Sequence, residues 1–272
     1  MYILRGNYEN HLIKLRDSRR IVIKVGTSSL TDDSSKLDVG KIANLVSMIM
    51  RQKSEGKTPI LVSSGAIGAG LGRLEIPARP TEMDELQAAA AIGQGILMQT
   101  YEFFFNHYDQ PIAQILLTNE DFTDPCRYSN LSKTIETLLK WGVIPIINEN
   151  DTVATDEIKV GDNDTLASHV TIGVNADLLI ILTDVDGLYN GTPGEEASEL
   201  VKVVPEVTPE VESWASRVGK GFGGMYTKVK AAQNLASLGI PTVIANSKHP
   251  DALDRIFTEQ DGTLFLARRP EE

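Results

Sequence analysis

Ile21-Val22-Ile23-Lys24-Val25-Gly26-Thr27-Ser28-Ser29 is a run of branched apolar residues that carries one lysine and ends in glycine and hydroxyls. A short, nearly continuous aliphatic run of this kind marks a strand buried on both faces, as in a parallel sheet. Five more runs have the same character: Ile60–Ser63, Ile112–Leu117, Val143–Ile147, Leu178–Thr183 and Thr242–Ala245. Between them lie stretches with helical spacing: Asp38–Ser54, Met83–His107, Arg127–Trp141, Asp164–Gly173 and Met225–Leu238. This alternation predicts an α/β fold, a three-layer αβα sandwich around an open, mainly parallel sheet. Ligands of such sheets gather at the carboxyl ends of the strands, where this sequence repeatedly places glycine and polar residues.

The chain has 272 residues, 42% hydrophobic and 23% charged, which is ordinary globular composition and excludes disorder over most of its length. No composition break forces two domains. The formal charge of −11 argues against nonspecific nucleic-acid binding, while leaving room for a local anion pocket. The single cysteine, Cys126, excludes an intrachain disulfide and a multi-cysteine zinc site, and reads as an inert loop thiol. The four histidines are scattered, with no HExxH pairing. The longest apolar run, Leu178–Leu182, is far too short to span a membrane, and Met1–Arg20 has no apolar signal core. The expectation is a cytoplasmic protein without a membrane or nucleic-acid partner. Residues 1–18 read as an N-terminal extension, Val153–Val160 as a hairpin and Asn190–Ser198 as a surface excursion. Phe103–Phe105 read as core or subunit interface, and Ala88–Ala91 as a site of close helix packing.

Five strand ends or glycine loops interrupt the apolar pattern. Lys24 inside a buried strand is costly unless paired or bound to an anion, and a solvated edge strand is the plain alternative. Gly26 lets a backbone N–H approach a ligand closely. Leu61–Gly70 runs from a strand through Ser64 and Gly65 into a helix, a shape that offers N–H groups to an anion or simply packs tightly. Asn148–Asp151 and Gly161–Asp164 supply polar and acidic groups that would bind an amino group or hold lysines; taken singly they are also good turn and cap residues. Thr183-Asp184 follows an apolar strand, and Gly219–Lys228 is a glycine-rich approach to a helix. Lys228 in that first turn opposes the helix dipole by a few tenths to ~1 kcal/mol, and a bound phosphate would reverse the sign. Two familiar motifs fail. Gly219, Gly221 and Gly224 match GxGxxG, but follow a predicted helix at Pro209–Val218 rather than a strand. Gly56-Lys57-Thr58 resembles a P-loop end, but the earlier glycine it needs is Arg51.

Taken together, IVIKVGTSSL, VSSGAIGAG, PIINENDTVAT, EIKVGDND, LLTDVDGLY, GGMYTK and GTLF resemble the amino-acid kinase family, in the branch that phosphorylates glutamate. The blocks keep the family's order from Arg19 to Ala267. The resemblance implies ATP-dependent phosphorylation of the L-glutamate side-chain carboxylate with Mg²⁺, the first step of proline synthesis. It implies Lys24, Lys228 and Asp164 as catalytic residues, and Ser64, Asp151 and Asn163 as glutamate-binding. It implies Lys24, Thr183, Asp184, Phe222, Gly223, Gly224, Met225, Tyr226, Thr227 and Lys228 as ATP-binding, with Gly26 and Gly65 cradling phosphate. Residues 19–272 would form the kinase domain, its first part holding glutamate and its second ATP. Proline as feedback inhibitor, a homodimer or homotetramer, and transient contact with glutamyl phosphate reductase are implied as well. Phe222 departs from the smaller polar residue of relatives, and the C-terminal PUA domain that many carry is expected to be absent. A carboxylate with a pKa of about 4.3 is already ionised at neutral pH, so no general base is needed. The competing readings are phosphorylation of N-acetylglutamate and a sensor that has lost catalysis. An acidic Asp151 has less to do for the first, and two site lysines less to do for the second.

Overall fold

In the computed structural model the described residues are 15–32, 36–76, 78–153, 163–192, 194–195, 198–217, 224–259 and 261–267. Among them run eight strands: β1 (Arg20–Val25), β2 (Thr58–Ser63), β3 (Ile112–Leu117), β4 (Ile144–Glu149), β5 (Leu178–Thr183), β6 (Val203–Val204), β7 (Thr242–Asn246) and β8 (Thr263–Phe265). They form one sheet in the order β3-β4-β2-β1-β5-β7-β8-β6. All pairings are parallel except β7 with β8. The expected mainly parallel sheet is therefore present, and the six expected strands are there within two residues at each end. β6 and β8 were not expected. They are two and three residues long, below the length at which an apolar run stands out.

The helices are α1 (Val39–Ser54), α2 (Ala66–Arg73), α3 (Met83–Phe105), α4 (Glu120–Thr123), α5 (Pro125–Lys140), α6 (Asn163–Gly173), α7 (Pro209–Arg217), α8 (Met225–Ser237) and α9 (Ala252–Thr258). Side chains alternate across a strand, so each strand feeds two cores. Ile21, Ile23 and Val25 enter one core with α1, α3 and α9. Val22 enters the other, with α5, α6, α7 and α8. Lys24 shares the parity of Val22 and so points into the layer of α6 and α8. β1 is fully interior, with β2 and β5 on its flanks, which rules out the solvated edge strand for Lys24.

Several local expectations are adjusted. Cys126 is exposed, but it sits in the first turn of α5, where the Asp124 side chain accepts from its N–H, rather than in a loop. Of the three phenylalanines only Phe105 is fully buried; Phe103 is exposed. Leu15 of the N-terminal stretch is buried in the core, so residues 15–18 belong to the fold. The hairpin expected at Val153–Val160 lies, beyond Val153, outside the described residues.

The alanine-rich part of α3 packs closely on α2. A Cβ on Gly70 would fall inside the carbonyl of Ala89, and one on Gly93 inside the carbonyl of Ala66. No side chain fits at either place without moving a helix. Gly70→Ala should lower stability by about 2–3 kcal/mol in urea unfolding. Gly95→Ala, on α3 with nothing within 4 Å, should raise it by about 0.5–1 kcal/mol.

Candidate active site

At the carboxyl ends of the central strands, three buried charges meet. Lys24 from β1 places Nζ 2.6 Å from Asp164 Oδ1, and Lys228 from α8 places Nζ 3.2 Å from Asp164 Oδ2. Lys24 is 3% exposed, Lys228 4% and Asp164 0%, so bulk water screens none of them. Asp164 lies in the first turn of α6, where the helix dipole favours a negative charge. The Thr227 hydroxyl donates to its Oδ2 at 2.7 Å. Burial pushes the Asp164 carboxyl up, but the two ammoniums and these hydrogen bonds outweigh it and hold the pKa below the carboxylate range. Burial lowers the Lys228 pKa, and Asp164 opposes this only in part. The triad itself carries one positive charge in excess. A buried surplus charge is expensive unless an anion joins it.

Beside the triad is a pocket lined by Ser64, Asn163, Asn148, Asp151 and the first turn of α2. Gly65 caps α2 with φ +103°, a conformation that favours glycine, and no side chain caps the helix. Asn163 Nδ2 sits 2.8 Å from Ser64 Oγ, 3.1 Å from the Ser63 carbonyl and 3.1 Å from Asn148 Oδ1. Asn148 in turn donates to Gln94 Oε1 at 2.9 Å, and Ser63 bonds the buried Tyr101 hydroxyl at 2.9 Å. This network leaves the buried Asn163 Oδ1 without a hydrogen-bond partner. A lone buried acceptor beside a pocket suits a ligand donor such as an ammonium. Asp151 lies in the turn after β4. Burial raises its pKa from 3.8 to about 6, with Arg79 pulling the other way.

The remaining residues singled out in the sequence divide. Thr183 is buried at the end of β5, and Asp184 is exposed beside it, 3.2 Å from the Thr183 hydroxyl. Gly224 is the N-cap of α8, and no described side chain caps that helix. Tyr226 is exposed on the first turn, whereas the Met225 side chain is buried in the core. The Gly26 N–H is directed at the Leu182 carbonyl, 3.4 Å away, within the sheet. Phe222 and Gly223 lie outside the described residues, as does Gly161-Asp162. Sequence reasoning singled out neither Gln94, Tyr101 nor Arg79. Gln94 and Tyr101 lie on the α3 pattern, and Arg79 on an irregular segment, so no strand-end signal marks them.

The charge state of Asp151 gives a test of stability. Between pH 3.8 and about 6 the folded chain holds a proton that the unfolded chain has lost. Ionised Asp151 therefore costs folding free energy, fully so above pH about 6. Asp151→Asn should raise the urea midpoint at neutral pH. The gain should shrink as pH falls below about 6 and be gone near 3.8.

The family model described as "Amino acid kinase family" matches residues 19–246. The chain is 51% identical over 251 residues to the glutamate 5-kinase of Caldanaerobacter subterraneus subsp. tengcongensis, covering 91% of this chain and 68% of that protein. It is 49% identical over 257 residues to the glutamate 5-kinase of Symbiobacterium thermophilum, covering 93% and 97% respectively. Among solved structures, carbamate kinase from Giardia lamblia bound to AMP-PNP superposes with a TM-score of 0.66 at 19% identity, covering 93% of this chain and all of that one. UMP kinase from Ureaplasma parvum gives 0.62 at 15% identity, over 92% and 99%. The last two speak for the fold alone. With the sheet order, the family match and relatives near half identity in agreement, the chain belongs to the amino acid kinase family, on its glutamate 5-kinase branch.

Proposed function

We propose that the protein phosphorylates the side-chain carboxylate of L-glutamate with ATP, giving L-glutamyl 5-phosphate, the first step of proline synthesis. The observation that carries this reading is the buried Lys24–Asp164–Lys228 triad at the edge of a small polar pocket. Transfer between a phosphate and a carboxylate brings two anions together, so charge neutralisation and positioning dominate the barrier. Lys24 and Lys228 supply the neutralising charge. Asp164 fixes both ammoniums and leaves their surplus for the transferring group. The acceptor carboxylate is ionised at neutral pH, so the described pocket needs no base. ATP supplies the phosphoryl group. Thr183, Asp184 and the first turn of α8 are the proposed nucleotide contacts, continuing into Phe222 and Gly223. Ser64, Asn163 and Asp151 are the proposed glutamate contacts, with Asp151 and the Asn163 oxygen facing the ammonium.

Among the described residues no three acidic, histidine or cysteine side chains gather to hold a metal. Mg²⁺ is proposed to come with the nucleotide, held by phosphate oxygens and water. Among the described residues no helix is long and apolar enough to cross a membrane. Cytoplasmic location, a homodimer or homotetramer, inhibition by proline and contact with glutamyl phosphate reductase are part of the same proposal.

The test is hydroxamate formation from ATP, Mg²⁺ and L-glutamate, with N-acetylglutamate and aspartate alongside. Product from glutamate alone is expected, and Lys228→Ala should reduce kcat by about a hundredfold or more. A folded protein that binds ATP and yields no hydroxamate from any of the three would leave the sensor reading in its place.

A further inference from the structure

Two charged side chains of the pocket, Glu149 and Arg79, have no assigned part in binding, and Arg79 is the cation. Arg79, in the segment before α3, lines the pocket with Asp151, Glu149 and the first turn of α2. It is the one cationic side chain among the described residues that line it. We propose that Arg79 is a specificity residue that binds the α-carboxylate of the substrate. This rests on the glutamate-kinase reading.

The argument is a charge count inside the pocket. L-Glutamate at neutral pH has two carboxylates and one ammonium. The side-chain carboxylate goes to Lys24 and Lys228, because phosphoryl transfer happens there. The ammonium has Asp151 and the unpartnered Asn163 Oδ1 as acceptors. The α-carboxylate then shares a small space with two acidic side chains, Glu149 and Asp151. Like charges so close repel unless a cation lies between them. Arg79 is that cation, and its planar fork matches a carboxylate in two-point geometry. Its guanidinium also acts electrostatically on Asp151, which places the two groups near each other. The α2 N–H groups add positive potential but no fork. Arg79 is exposed, so it can engage a substrate at the pocket mouth.

The experiment compares wild type with Arg79→Gln and Arg79→Lys in the hydroxamate assay. Two competitive inhibitors dissect the substrate: glutarate lacks the ammonium, and 4-aminobutyrate lacks the α-carboxylate. Arg79→Gln should raise the KM for glutamate by about tenfold to a hundredfold, and the Ki for glutarate in parallel. The Ki for 4-aminobutyrate and the KM for ATP should stay within about twofold, and Arg79→Lys should recover part of the loss. An unchanged KM for glutamate in Arg79→Gln would overturn the assignment. So would an equal rise in the Ki for 4-aminobutyrate, which marks a general disturbance of the pocket. A wild-type protein that makes no hydroxamate from glutamate removes the kinase reading itself, and is told apart by that first control.

Discussion

One carboxylate shared by two buried lysines organises this molecule. Asp164 has no exposure, and its partners come from β1 and α8, whose positions differ by some two hundred residues. Neither lysine would be tolerated where it sits without the acid, since a lone buried ammonium costs far more than a chain of this size can spare. The acid in turn is kept ionised by the lysines against the pull of burial. β1, α6 and α8 are therefore tied together by charge as well as by packing. The same arrangement leaves an unbalanced positive charge next to Asn163 of the pocket, which is what a reaction between two anions requires.

Around the triad the structure relies on polar groups that fix one another. Asn163 is held by Ser64, Ser63 and Asn148, while Asn148 is held by Gln94 and the Ser63 hydroxyl by Tyr101. The last two stand on α3, whose close approach to α2 depends on Gly70 and Gly93. The small residues of those helices thus bear on the pocket although none carries a functional group there. Asp151 is the opposite case: a carboxyl that burial disfavours in the ionised form. Strained electrostatics of this kind gathers where a ligand is to supply the missing charge.

Legibility of the fold followed from the physics of each signal. β1, β2, β4 and β5 are buried on both faces and read as apolar runs. β6 and β8 are too short to rise above the background and exist through pairing with each other and with β7. The site was legible to the extent that its residues interrupt or end a strand, or stand at or just before the first turn of a helix: Lys24, Ser64, Asn163, Asp164, Thr183 and Lys228 all do. Arg79 does neither, and Gln94 and Tyr101 sit inside a helix whose other residues look alike.

By itself the sequence determined the layer architecture, the need for a charge partner of Lys24 inside a buried strand, and the order of motifs that marks the family. These are local facts, carried by periodicity and by spacing along the chain. Only the tertiary structure decided that Asp164 stands between Lys24 and Lys228, that Asn163 keeps an acceptor without a partner, and that Arg79 borders the same pocket as Asp151. Those facts depend on distances between elements far apart in the chain. Such distances are set by how sheet and helices pack, which no local pattern of residues encodes.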